Sequence, residues 1–244
     1  MDLSGNVALV TGGGTGIGRA IAEYWVQHGG QVVVCGRREK PLQATCEDLG
    51  DAASYVCMDL GKRGDPERAL ETVAERHGRL DTLVNNGGTF LLRSLAESTD
   101  DEIERVFRVN VFGLLALTRA CTPLLIKSQG SVVNLSSTVA QGVLPGSIAY
   151  AGSKAAVEQI TRCLAAELGP KGVRVNCVAP GLVATDMTTT LRRDPDSVNA
   201  VIQDTPLRRI GDPADIAPSV AFLGSKEGGW VTGQIVQASG GLLL

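Results

Sequence analysis

Histidine is nearly missing from this sequence. Only two histidines occur in 244 residues, His28 and His77, and the six cysteines, at positions 35, 46, 57, 121, 163 and 177, form no C-x-x-C pair and have no histidine at metal-ligand spacing. A bound metal is therefore not expected, and unpaired thiols of this kind suit small buried hydrophobes in a reducing, cytoplasmic setting. Charge of one sign is lacking too: 23 basic against 26 acidic side chains leave a net −3, with no long run of lysine or arginine. That removes the footprint that nucleic acid or an anionic membrane surface needs, and points to a small or neutral partner. The longest apolar run near mid-chain, residues 111–117, stops at Thr118 and Arg119, short of the roughly 20 residues of a membrane span. No membrane partner is expected. The N-terminus carries Asp2 where a signal peptide wants positive charge, and its apolar stretch runs straight into glycines. No Pro/Ser-rich linker or long internal repeat divides the chain, so residues 1–244 read as one domain.

What the sequence does contain is a rhythm. Short β-branched runs alternate with longer amphipathic segments: residues 7–10 then 16–28, 31–35 then 39–49, 54–58 then 65–77. Later runs at 81–84, 131–135, 173–178 and 234–236 are interleaved with helical patterns such as 148–168. Near-continuous apolar strands separated by helices predict an α/β, doubly wound parallel sheet of about seven strands, covered by helices on both faces. Ligands then bind outside the carboxyl ends of the strands. The least regular stretch, residues 181–212, follows a strand end, which makes residues 182–212 the expected substrate lid.

The turn between the first strand and the first helix reads Thr11-Gly12-Gly13-Gly14-Thr15-Gly16-Ile17-Gly18. Glycine is needed where the backbone turns sharply, approaches a pyrophosphate and packs helix on strand. The amides of the helix end then face the anion. No Lys-Ser/Thr pair follows, so a Walker loop is excluded. At the close of the second strand an NAD site places a carboxylate, but here the residues are Gly36, Arg37 and Arg38. A guanidinium suits a 2′-phosphate, so NADP(H) is favoured over NAD(H). The alternatives are that Arg37 and Arg38 are solvated charges, and that Glu39 takes the NAD role. Asp59, followed by Leu60, either accepts a bond from the adenine amino group or caps the next helix.

Tyr150 and Lys154 lie four residues apart, on one face of a helix. An ammonium near a phenol favours phenolate, so Lys154 is expected to lower the pKa of Tyr150. Taken in order, the T-G-x-x-x-G-I-G turn (11–18), Asn85-Asn86-Gly87-Gly88, Asn110, Ser137, Tyr150, Lys154, and Pro180-Gly181 with Thr185 resemble the short-chain dehydrogenase/reductase family over essentially the whole chain. The resemblance implies a single-domain Rossmann fold and nicotinamide-dependent carbonyl/alcohol chemistry. It implies Tyr150 as general acid/base, Ser137 as hydrogen-bond donor to the carbonyl oxygen, and Lys154 holding the nicotinamide ribose. Asn110 would support a proton-relay water. Ser136 competes with Ser137, and the family interval of 13 residues before the tyrosine selects Ser137. The implied cofactor set is Gly12, Thr15, Gly16, Ile17, Gly18, Arg37, Arg38, Asp59, Leu60, Asn86, Gly87, Tyr150, Lys154, Pro180, Gly181, Val183 and Thr185.

Three departures from the family pattern stand out. Asn-Asn-Ala-Gly has become Asn85-Asn86-Gly87-Gly88, Thr15 stands where many NADP-dependent members are basic, and the C-terminal Asp-Gly-Gly is Ser239-Gly240-Gly241, followed by Leu242 to Leu244. An apolar terminus of that kind, with the family habit, implies a homo-oligomer, a tetramer by resemblance. The stretches expected to line the pocket, residues 89–92, 138–147 and 182–191, carry few fixed charges, which suits a neutral, moderately apolar ketone or aldehyde. Arg192 and Arg193 are expected to be solvated. Two alternatives stay open: an NAD-dependent secondary alcohol dehydrogenase working oxidatively, and a β-ketoacyl carrier-protein reductase, for which Lys171 sits at a basic docking position and Ser128 replaces another.

Overall fold

In the computed structural model, residues 1–243 are described, and they form a seven-stranded, all-parallel sheet in the order β3-β2-β1-β4-β5-β6-β7. The strands are β1 (Val7–Thr11), β2 (Gln31–Gly36), β3 (Ala53–Cys57), β4 (Thr82–Asn85), β5 (Ser131–Leu135), β6 (Arg174–Pro180) and β7 (Ile235–Ala238). The helices are α1 (Gly16–Gln27), α2 (Glu39–Leu49), α3 (Asp65–His77), α4 (Asp100–Phe107), α5 (Leu114–Ser128), α6 (Ile148–Leu168), α7 (Pro195–Asp204) and α8 (Pro213–Gly224). The expected seven-strand Rossmann architecture is what the chain forms, with strand ends displaced by no more than a residue or two. The β1, β4 and β5 strands are buried along their whole length, which is why their sequences are apolar runs rather than alternations.

The central strands feed two cores. On one face Ile21 and Trp25 of α1 meet Ile216 and Val220 of α8 together with Leu42 of α2. Trp25 fits because two glycines face it: a Cβ at Gly30 would stand 2.4 Å from its Cδ1, and one at Gly224 2.8 Å from its Cη2. On the other face Ala69 and Val73 of α3, Leu117, Cys121 and Leu125 of α5, and Ala165 of α6 form the second core.

One expectation is corrected here. The continuous helical stretch Asp100–Ser128, 29 residues, is long and apolar enough by length and composition to cross a membrane. A search for unbroken apolar runs misses it because Thr118, Thr122 and the single Arg119 interrupt the run without lowering its average much. In the fold it is a core helix: Leu117, Thr118, Cys121 and Leu125 face the sheet. The stretch is continuous because a π-helical turn, Arg108–Gly113, joins α4 to α5. Such a turn inserts an extra residue and re-aims the side chains around it.

Strand order reverses at β1, which has β2 on one side and β4 on the other. The crevice at that switch point is where a doubly wound sheet binds ligands.

Candidate active site

The turn after β1 is stitched to the turn after β4. Asn86 Nδ2 donates to Thr11 O at 2.8 Å, and the Gly87 amide donates to Thr11 Oγ1 at 2.7 Å. Gly12 and Gly16 hold φ of +68° and +54°, a region that favours glycine. Gly18 is required by contact: a Cβ there would stand 2.3 Å from Gly12 O and 2.5 Å from Asn86 Nδ2. Thr15 occupies the N-cap of α1 but its side chain caps nothing, and no acid lies in the first turn. The first amides of α1 are thus left for an anion, with half-buried Ile17 anchoring the turn on the core.

At the end of β2, Arg37 and Arg38 are exposed, and neither enters an ion pair among the described residues. Glu39 is occupied: its Oε1 accepts from Tyr55 Oη at 3.2 Å. After β3, Asp59 Oδ1 accepts from the Gly61 amide at 2.9 Å. The N-cap of α3 is Gly64, so the capping reading of Asp59 is corrected. Leu60 packs beneath Gly87, where a Cβ would stand 3.0 Å from its Cδ1.

Four further side chains converge at the carboxyl ends of β4, β5 and β6. Tyr150 and Lys154 project from α6 and are buried, as is Asn110 on the π turn. Lys154 Nζ donates to Leu135 O at 2.7 Å and lies 5.7 Å from the centroid of the Tyr150 ring. Asn110 Nδ2 donates to Thr89 O and to Ser153 Oγ, both at 3.0 Å, and its Oδ1 accepts from the Thr89 amide at 2.8 Å. Both of its amide hydrogens are spent on holding the β4 loop to α6, so its side chain clamps rather than reaches for solvent. Ser137 stands beside Tyr150, while Ser136 is turned away, its Oγ 3.0 Å from Glu158 Oε1 and 3.2 Å from Lys154 O. That separates the two serines as the tyrosine interval suggests.

Burial dominates the titration of this group. It pushes the Tyr150 phenol up to about 12, with the Ser137 hydroxyl pulling the other way, and pushes Lys154 down to about 8. The Lys154 ammonium is aimed at Leu135 O rather than at the phenol, so burial and the Ser137 hydroxyl are what act on Tyr150 in this structure. Phe90, from one of the stretches expected to line the pocket, has a more particular place. Its ring meets Tyr150 edge-on at a centroid distance of 4.8 Å and an angle of 82°, so it helps to exclude water from the phenol.

The stretch after β6 folds back over the glycine turn. The Gly181 amide donates to Ala238 O at 3.3 Å, just past Pro180 at the strand end, and buried Val183 bridges to Gly211. Thr185 reaches Gly16, where a Cβ would stand 3.2 Å from its Cγ2. Arg192 is not solvated as expected. Its Nη2 donates to Thr185 O at 3.0 Å and its Nε to Thr188 Oγ1 at 3.2 Å, which pins the segment internally. A cavity of about 370 Å³ opens between α1 and this segment, lined by Gly16, Arg19, Thr185, Arg192 and Asp212 among others.

The tail is partly covered by its own chain. Leu243 is half exposed and packs on its own chain, where a Cβ at Gly142 would stand 2.3 Å from its Cδ1. Leu244 lies outside the described residues.

Comparison with known proteins agrees with this geometry. A family model described as enoyl-(acyl carrier protein) reductase matches residues 12–243. An uncharacterized oxidoreductase of Methylorubrum extorquens is 40% identical over 98% of both chains. The 3-oxoacyl-[acyl-carrier-protein] reductase of Vibrio harveyi is 35% identical over the full length of both. A crystal structure of a short-chain dehydrogenase/reductase, glucose/ribitol dehydrogenase, from Brucella melitensis superposes with a TM-score of 0.95 at 32% identity, covering 100% of each chain. By these matches over nearly its whole length, this chain belongs to the short-chain dehydrogenase/reductase family of Rossmann-fold oxidoreductases.

Proposed function

We propose that this protein is an NADP(H)-dependent reductase that converts a ketone or aldehyde to the alcohol. The observation that carries the reading is the convergence of Ser137, Tyr150 and Lys154 in a water-poor pocket next to an uncapped helix N-terminus. The residues present fit the dinucleotide. Thr15, Gly16, Ile17 and Gly18 would offer amides to the pyrophosphate, with Gly12, its own amide bonded to Cys35 O, shaping the turn, and Arg37 with Arg38 would offer cations to the 2′-phosphate. Asp59 and Leu60 would border the adenine, Asn86 and Gly87 the ribose, and Pro180, Gly181, Val183 and Thr185 the nicotinamide end. Residues 182–212 serve as the lid.

When bound, the reduced nicotinamide supplies a hydride to the carbonyl carbon. Tyr150 gives its phenolic proton to the carbonyl oxygen; burial keeps that phenol protonated, and the Ser137 hydroxyl eases the loss of the proton. Ser137 donates a hydrogen bond to the same oxygen, where negative charge develops. Lys154, once charged, steadies the phenolate that remains and holds the cofactor ribose. Asn110 keeps the β4 loop and Ser153 in place through three hydrogen bonds.

The substrate we propose is neutral and moderately apolar, because Phe90 roofs the tyrosine and Leu92, Val143 and Met187 stand exposed on the stretches around it. A second reading, reduction of a β-ketoacyl thioester on a carrier protein, draws support from the Vibrio harveyi relative. The test is consumption of NADPH beside NADH against ketones, aldehydes and β-ketoacyl thioesters. Tyr150→Phe should cut turnover by at least about a hundredfold with nucleotide binding intact. Turnover by Tyr150→Phe near that of the wild type overturns the proposal.

A further inference from the structure

One buried carboxylate takes no part in the chemistry above. Glu158 follows Lys154 by one helical turn on the same face of α6, so Tyr150, Lys154 and Glu158 form a buried column. The first two face the crevice and the third does not. Its Oε1 accepts from Ser136 Oγ at 3.0 Å, and its Oε2 accepts from Gln141 Nε2 at 3.0 Å. Ser136 and Gln141 are the two ends of the short segment that presents Ser137: between them lies a 3₁₀ turn, Thr138–Ala140, with Ser137 as its N-cap. Gln141 Oε1 in turn accepts from Gln237 Nε2 of β7 at 2.8 Å. A buried carboxylate with no cation on it, satisfied by two neutral donors that flank one residue, is a costly way to fill space. An apolar side chain would serve a purely structural role at least as well.

We infer that Glu158 is a positioning residue: it staples both ends of the segment from Ser136 to Gln141 and thereby sets the Ser137 hydroxyl against Tyr150, with Gln237 tying that segment to the last strand. The inference rests on the reading of Ser137 and Tyr150 as the reacting pair. Only a carboxylate can accept on both sides at once. Glu158→Leu removes both acceptors at similar volume and opens the staple at both ends, whereas an amide alone would not, because the Ser136 hydroxyl could accept from it and turn its own proton to Lys154 O. In Gln141→Glu two carboxylates face each other. The double variant Glu158→Gln/Gln141→Glu reverses the polarity and restores every bond. The amide introduced at position 158 accepts from Ser136 and donates to the carboxylate introduced at position 141, which still accepts from Gln237.

The experiment measures kcat and KM of wild type, both single variants and the double variant, together with hydrogen exchange of the peptide spanning residues 136–142 and cofactor affinity. Each single variant should lose about tenfold in kcat, the scale of one misplaced hydrogen bond, with cofactor Kd unchanged and exchange over 136–142 faster. The double variant should return to within about threefold of wild type on both counts. Gln141 is exposed, so Gln141→Glu gives a folded protein even where Glu158→Leu does not. Wild-type kcat in the single variants, unchanged exchange, or a double variant no better than the worse single one overturns the inference. If exchange responds and is rescued while Tyr150→Phe is as active as wild type, the reductase reading has failed, and the positioning role falls with it.

Discussion

The same dry pocket disfavours the charged form of both Lys154 and Tyr150, and this links catalysis to stability. The folded pKa of Lys154 is depressed to about 8 from 10.5, so the stabilisation it contributes is full above about pH 10.5 and is lost as pH falls through about 8. For Tyr150 the folded value is raised to about 12 from 10.0, so its contribution is full below pH 10 and lost as pH climbs towards 12. Between about pH 8 and 10 only the first operates. Urea unfolding of wild type and Lys154→Met across that window should therefore show the difference between them shifting in favour of wild type as pH rises, by on the order of 3 kcal/mol at most. A difference that stays flat would mean that Lys154 titrates as it does in water. Arg37 acts just as locally. Substituting it with Asp should lower the NADPH-to-NADH ratio of kcat/KM by at least about tenfold, since a bidentate phosphate partner becomes a repulsive carboxylate. An unchanged ratio would assign the phosphate to another residue.

Between helices and strands, what matters is how closely α1 approaches the sheet. Gly18 has no room for a methyl, which would meet Gly12 O at 2.3 Å, whereas a methyl at Gly87 meets Leu60 Cδ1 at 3.0 Å and Thr11 Oγ1 at 3.1 Å. The first neighbour is backbone at the centre of the glycine turn, and the second is the end of a flexible side chain. Gly18→Ala should therefore destabilise by about 1–3 kcal/mol, read as a fall in Tm, and weaken cofactor binding, while Gly87→Ala changes both much less. Equal effects would show that the turn yields as a whole. Helical spacing makes α6 legible in advance: the apolar period over residues 148–168 predicts it, and Tyr150 and Lys154 share its face as the four-residue interval requires. The pinning of Arg192 is not legible, because its partners are Thr185 O and Thr188 Oγ1, and nothing in a loop sequence says which carbonyl turns inward.

Across the subunit, several large apolar side chains stay in water. Leu243 touches Gly142 of its own chain yet is half exposed, Trp230 is fully exposed and Phe112 is 60% exposed, side chains for which a lone subunit has no evident use. The homo-oligomer we propose, a tetramer, should therefore appear in light scattering as a multiple of the 25.5 kDa chain. Trp230→Ser or Phe112→Ser should lower that mass or the Tm. A wild-type mass of one chain would end the proposal.

The order and type of the elements follow from sequence alone, because apolar period and glycine position act over a few residues at a time. The glycine turn and the Tyr150–Lys154 pair are equally local, whereas Asn110 and Ser137 stand out only through the family resemblance. The environment of those groups comes from the folded chain and from nothing earlier. Desolvation of Tyr150 depends on Phe90 arriving from the β4 loop, and the spent amide of Asn110 depends on Thr89 and Ser153. The staple of Glu158 joins α6 to the loop after β5 and, through Gln141, to β7. These are contacts between segments tens of residues apart, and a pKa or a hydrogen-bond balance is set by what surrounds a group in space rather than by what precedes it in the chain.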